Sequence, residues 1–151
     1  MACKWYVSLR RAIKKNNPHF PYYLFSWVTP DTFFLLSLHA GTYKQDDNTG
    51  GSNGATMRFS PERTDEANAG LGIVRDLLLP IKKAHPEISF ADLWVLGGHV
   101  AVEFLGGPNV PFRLGRTDTS DGFTCPANGR LPDAAQGNVP MVCCFLLVLL
   151  V

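Results

Sequence analysis

Charge is scarce and nearly balanced in this chain. Fourteen Lys and Arg stand against thirteen Asp and Glu over 151 residues, a formal charge of +1. That balance gives no electrostatic footprint for nucleic acid or an anionic membrane. Cysteine is sparse too. Cys3, Cys125, Cys143 and Cys144 show no metal-ligand spacing, and the adjacent Cys143 and Cys144 are poorly placed to bridge each other. They read as reduced thiols of an intracellular protein, with cytoplasm, mitochondrion and plastid all open. Acidic residues are absent before Asp31, as in a transit peptide, but serine is scarce there. The apolar run Met141–Val151 has only eleven residues. As a helix it reaches about 16 Å against a hydrocarbon core of about 30 Å, so no membrane span is expected. There is no internal repeat and no convincing strand pair. A chain of this length suits one domain and buries roughly 70% of its unfolded surface.

What is present is helical. Leu71, Val74, Leu78 and Ile81 recur at three- and four-residue steps, with Leu77 widening the stripe. Asp65 and Glu66 favour the start of this helix and Lys82 and Lys83 its end. Pro80 falls inside it and should bend it. One bent helix over Glu66–Ala84 is expected. A second helix opens at Ser89, a good N-cap, with Asp92 three residues on as in a capping box. Ile88 and Leu93 stand at the positions of a hydrophobic staple. Its apolar stripe runs Leu93, Val100, Ala101, Phe104, and Gly106-Gly107-Pro108 stops it. Residues 41–60 and 109–137 are rich in Gly, Pro, Asn and Asp and read as loops. A short basic helix over Lys4–Asn16 would be cut off by Pro18 and Pro21. The fold class is all-α, with long Gly/Pro-rich loops.

Several ordered motifs carry the functional signal: TGGSNGATMRF (Thr49–Phe59), ANAGL (Ala67–Leu71), PIK (Pro80–Lys82), ISFADLW (Ile88–Trp94), GGPNVPF (Gly106–Phe112), GRTD (Gly115–Asp118) and GRLPDAAQG (Gly129–Gly137). Together they resemble the class I haem peroxidases, the group that includes cytochrome c peroxidase and ascorbate peroxidase. The resemblance spans residues 41–137, roughly two-thirds of the chain. It implies a haem-peroxidase-like helical fold, here the distal half only, because the sequence stops before the family's proximal half and its iron-ligating histidine. It implies haem b as cofactor, hydrogen peroxide as substrate, and ascorbate or cytochrome c as electron donor.

The flanks depart from that pattern. Residues 1–40 form an atypical N-terminal segment and 138–151 an aberrant apolar tail. Phe33–Leu38 can be encoded by an almost pure pyrimidine run and Ala40-Gly41 by GCA-GGN, as at an intron's 3′ end. Gly137-Asn138 can be encoded by GGT-AAY, as at a splice donor. Residues 26–40 and the tail therefore read as translated intron around a genuine 41–137. The alternative is a divergent sequence with an apolar tail.

Peroxide reduction on haem needs a base to move a proton from the near oxygen to the far one, and a cation to stabilise the charge that develops. The resemblance places both on one helix, as Arg-x-x-Trp/Phe-His ahead of Gly-Thr-aromatic. Gly41-Thr42-Tyr43 is present, but His39 lies one residue too close to it. With His39 as the base, Leu35 takes the arginine position. With the Gly-Thr-Tyr register held, Leu38 takes the histidine position and Phe34 that of arginine. One residue on a helix turns a side chain by about 100°. The resemblance gives Asn68 the role of accepting from the distal histidine, Glu62 a place in the distal network, and Pro132, Asp133 and Ala134 the haem edge. No metal ligand is assigned. Without the cation and the proximal side, these 151 residues are expected to be inactive or nearly so. The runner-up function is a non-catalytic peroxidase fragment acting as a binding module. Arg58, Arg116 and Asp118 are expected in loop-fixing ion pairs, and Trp94 and Phe104 in the core. His99 lies on the opposite side of its helix from Leu93 and Val100 and matches no ligand position.

Overall fold

The computed structural model describes residues 39–130, together with Val7 alone among the N-terminal residues. The intron-like stretch up to Leu38, the haem-edge residues Pro132, Asp133 and Ala134, and the apolar tail lie outside the described residues, as does all of Lys4–Asn16 but Val7.

Two helices form the frame: α1, Leu71–Ala84, and α2, Phe90–Phe104. Residues 39–41 are helical as well. Three single 3-10 turns, Thr56–Arg58, Glu62–Thr64 and Glu66–Asn68, lead into α1. Among the described residues there is no strand, only two isolated bridges, Lys44 with Thr49 and Gly54 with Asp118.

The expected single helix over Glu66–Ala84 is divided. Asp65 caps the turn Glu66–Asn68 by accepting from the Ala67 N–H. Ala69 is then extended, and Gly70 has φ 87°, so the helix restarts at Leu71. A left-handed residue breaks the ladder and only glycine adopts it cheaply. The stripe holds: Leu71, Val74 and Leu78 are buried. Pro80 lies within α1 on an exposed position, where water can satisfy the carbonyl that its missing N–H leaves free.

Helix α2 is the centre of the molecule. Twelve of its fifteen residues are buried, so it is apolar nearly all round rather than along one stripe, the mark of a core helix. Ser89 caps it as expected, its Oγ accepting from the Asp92 N–H at 3.0 Å. Asp118 adds a second cap from 27 residues away, its carboxylate accepting from the N–H groups of Phe90 (2.8 Å) and Ala91 (3.0 Å). Ile88, Leu93, Trp94, Leu96 and Val100 join Met57, Leu71, Val74 and Leu78 in one core cluster. Phe104 is a correction: the last residue of α2 is 45% exposed, because the stripe runs out of the core at the helix end.

The loops are pinned to this frame by the motifs. Gly54 N–H donates to the Thr117 carbonyl (2.8 Å) and its own carbonyl accepts from Thr119 N–H (2.9 Å). Arg58 donates to the carbonyls of Ala55 (3.0 Å) and Thr119 (2.6 Å) and lies over the rings of Phe59 and Phe90. It thus fixes its loop through carbonyls and rings, not through an expected acid. Gly50 has φ 73°, and a Cβ there would fall 2.3 Å from the Thr42 carbonyl oxygen, which explains a glycine at that point of the motif.

Candidate distal site

Three chain segments bring polar side chains to one buried spot. His39, on the helical residues 39–41, is fully enclosed. Its backbone is tied down: Thr42 Oγ1 donates to the His39 carbonyl (3.0 Å) and accepts from Gly51 N–H (3.0 Å). Its ring meets Trp94 of α2 edge-on, with centroids 5.3 Å apart and planes at 75°. Its Nδ1 lies 3.7 Å from Oε1 of Glu62, which the turn Glu62–Thr64 holds at 3% exposure. Asn68, from the next turn and 4% exposed, donates from Nδ2 to the Glu62 carbonyl at 2.8 Å.

Apart from Asn68 Nδ2, the side-chain polar atoms of this cluster are unsatisfied among the described residues. Both ring nitrogens of His39, both carboxylate oxygens of Glu62 and Oδ1 of Asn68 have no hydrogen-bond partner among the described residues. Each such group costs about 1–3 kcal/mol when buried. A buried cluster with so few partners among the described residues is a candidate site for a ligand or a mobile proton.

The two other central histidines lie elsewhere. His85 caps the end of α1 and pairs with Glu87 at 3.5 Å. His99 is buried on the far side of α2, edge-on to Phe112 at 5.6 Å. Burial, and secondarily the Arg116 charge, push its pKa from 6.5 down to about 4. It is therefore a neutral imidazole at pH 7. Among the described residues no group of three or more His, Cys, Asp or Glu is arranged to hold a metal ion. The residues present fit the proton-handling wall above a haem.

Two residues do more than their motifs announce. Asp92, read as a capping-box acid, instead holds the loop beyond α2: it accepts from Gly115 N–H (3.0 Å), Arg116 N–H (3.3 Å) and Arg116 Nη1 (2.9 Å). Arg116 thus forms its expected ion pair, whereas Asp118 caps α2 rather than pairing with a cation. Arg130 was not singled out by the sequence. It donates to Thr49 Oγ1 (2.7 Å) and the Thr42 carbonyl (3.4 Å), and its Nη2 lies 3.7 Å from Asp47. It anchors the start of the GRLPDA segment to the loop behind His39.

The model for the family described as "Peroxidase" matches residues 11–143. Among curated proteins, "Cytochrome c peroxidase, mitochondrial" of Pyricularia oryzae is 56% identical over 102 residues, 67% of this chain and 28% of the relative. "Putative heme-binding peroxidase" of Aspergillus fumigatus is 55% identical over 106 residues, 70% of this chain and 33% of the relative. "Cytochrome c peroxidase, mitochondrial" of Aspergillus fumigatus is 56% identical over 102 residues, again 67% and 28%. The chain thus spans about a third of the length of these relatives. Among the described residues, no helix is long and apolar enough to cross a membrane.

Proposed function

The chain belongs to the peroxidase family, in its class I haem group, and from that premise we propose that it supplies the peroxide-facing wall of a haem-dependent enzyme reducing hydrogen peroxide with electrons from cytochrome c. His39, Glu62 and Asn68 converge from three segments on one enclosed spot, with the imidazole nitrogens, the carboxylate oxygens and the amide oxygen unpartnered among the described residues, which is what that wall needs. Bound haem supplies the iron at which the O–O bond is broken and through which electrons enter. His39 is the base that takes a proton from one peroxide oxygen and returns it to the other. Glu62, beside Nδ1, holds the imidazole's charge while it carries that proton, and the unpartnered Asn68 Oδ1 is the acceptor that would orient the ring. The resemblance gives Pro132, Asp133 and Ala134, outside the described residues, a place at the haem edge. A mitochondrial compartment and cytochrome c follow the names of the relatives; ascorbate is the alternative donor.

We also propose that these 151 residues alone reduce peroxide slowly or not at all. His39 is fully enclosed, and Leu35 or Phe34 occupies the arginine position. Exposed apolar side chains such as Ile73, Leu105 and Phe123 favour a second function, that of a non-catalytic binding module.

A haemin titration of the whole chain and of a chimera tests both. In the chimera, residues 39–130 replace the matching stretch of a mitochondrial cytochrome c peroxidase. The chimera is expected to take up one haem with a sharp Soret band, and the chain alone to show little turnover. A chimera that folds but takes up no haem overturns the first proposal. Rapid peroxide turnover by the chain alone overturns the second.

A further inference from the structure

A separate cavity of about 610 Å³ opens between the loop over residues 43–53 and the segment 113–116. It contains none of His39, Glu62 and Asn68. Arg113 and Arg116 line it, and among the described residues no Asp or Glu does. Arg116 is held in place by Asp92 (2.9 Å) and by the Arg113 carbonyl (2.8 Å). Arg113 itself is exposed, and its guanidinium has no partner among the described residues. On the opposite wall stands Ser52, only 6% exposed, whose hydroxyl has no partner among the described residues. Asn53 lines the same wall. Its Oδ1 accepts from Thr117 N–H at 2.9 Å, which leaves its Nδ2 as a donor.

The two walls ask for different chemistry in one molecule. An unpaired guanidinium fork matches a carboxylate through two parallel hydrogen bonds. A buried, unpaired hydroxyl beside an amide matches a hydroxyl, which can both donate and accept. Buried polar groups of native proteins are normally satisfied, and a partner from outside is one way to satisfy this one. We propose that the cavity binds a small polyhydroxylated carboxylate, its carboxylate on Arg113 and its hydroxyls on Ser52 and Asn53.

Calorimetric titration of the whole chain with gluconate at pH 7 and low salt tests it, with sorbitol and acetate as partial ligands. Gluconate is expected to bind one-to-one, and sorbitol and acetate each at least tenfold more weakly. Arg113→Ala is expected to weaken gluconate at least tenfold, and Arg113→Lys less, since Lys keeps the charge but not the fork. Ser52→Ala is expected to weaken it several-fold and to leave acetate unchanged. Arg113 is exposed, so its variants keep the fold, which far-UV circular dichroism checks. No gluconate binding, binding unmoved by Arg113→Ala, or acetate binding as tightly as gluconate each overturns the proposal.

Discussion

Asn68 donates from Nδ2 to the backbone carbonyl of Glu62 at 2.8 Å, and both residues are buried. The turn bearing the amide and the turn bearing the carboxylate are therefore one unit, fixed before α1 begins. Asn68→Ala leaves that carbonyl without its side-chain partner in the interior. The variant is expected to lose about 1–3 kcal/mol, read as a fall in the urea midpoint at unchanged slope. A midpoint within error of the parent would mean that the bond is not made.

Glu62 presents the opposite case. Neither carboxylate oxygen is hydrogen-bonded among the described residues, and the nearest basic atom, His39 Nδ1, lies at 3.7 Å. A charge so placed is a liability to folding. Glu62→Gln keeps the shape and removes the charge. It is expected to raise stability at pH 7 by about 1 kcal/mol, measured by urea unfolding. A loss of that size would show that the carboxylate has partners it needs.

Much of the frame was legible in the sequence, because local chemistry set it. The Ser89 cap, the stripe Leu71, Val74, Leu78 and the stop at Gly106 depend on neighbours within a turn or two. What was not legible depends on residues far apart. Nothing around Asp118 says that it caps a helix 27 residues back, and nothing around Asp92 says that it holds residues 115 and 116. The helix break at Gly70 had a local signal, the glycine itself, but the apolar spacing across it outweighed that signal. Glu62 and Asn68 were reachable only through the motifs. Composition alone would leave them as a loop acid and a helix cap.

His99 makes stability depend on pH in one direction. Its pKa is lowered from 6.5 to about 4, by burial first and Arg116 second. Between those values the unfolded chain binds the proton and the folded chain does not, so stability rises with pH across the window and this contribution is complete above 6.5. It is lost as pH falls toward 4, by at most about 3 kcal/mol. Urea midpoints from pH 4.5 to 7.5 should show the rise, and His99→Phe should flatten it. An unchanged pH profile in that variant would assign the dependence to another group.

Asp92 and Arg116 form an ion pair at 2.9 Å with side chains 6% and 13% exposed, but the two partners are not equivalent. Asp92 also accepts from the backbone N–H groups of Gly115 and Arg116. Arg116→Ala removes the cation and leaves the carboxylate two donors to rest on. Asp92→Ala leaves both N–H groups without their side-chain acceptor and takes the carboxylate from a largely buried guanidinium that keeps the Arg113 carbonyl. Breaking a buried pair by removing one partner costs roughly 3–5 kcal/mol. Asp92→Ala should fall in or above that range, and Arg116→Ala below it. Asp92→Asn should lie between, since its amide oxygen can still accept from the backbone. Urea unfolding of the three variants and of the double mutant orders them. Equal losses from the two alanine variants would mean that the ion pair alone, and not the carboxylate's hold on the loop, keeps residues 115 and 116 against α2.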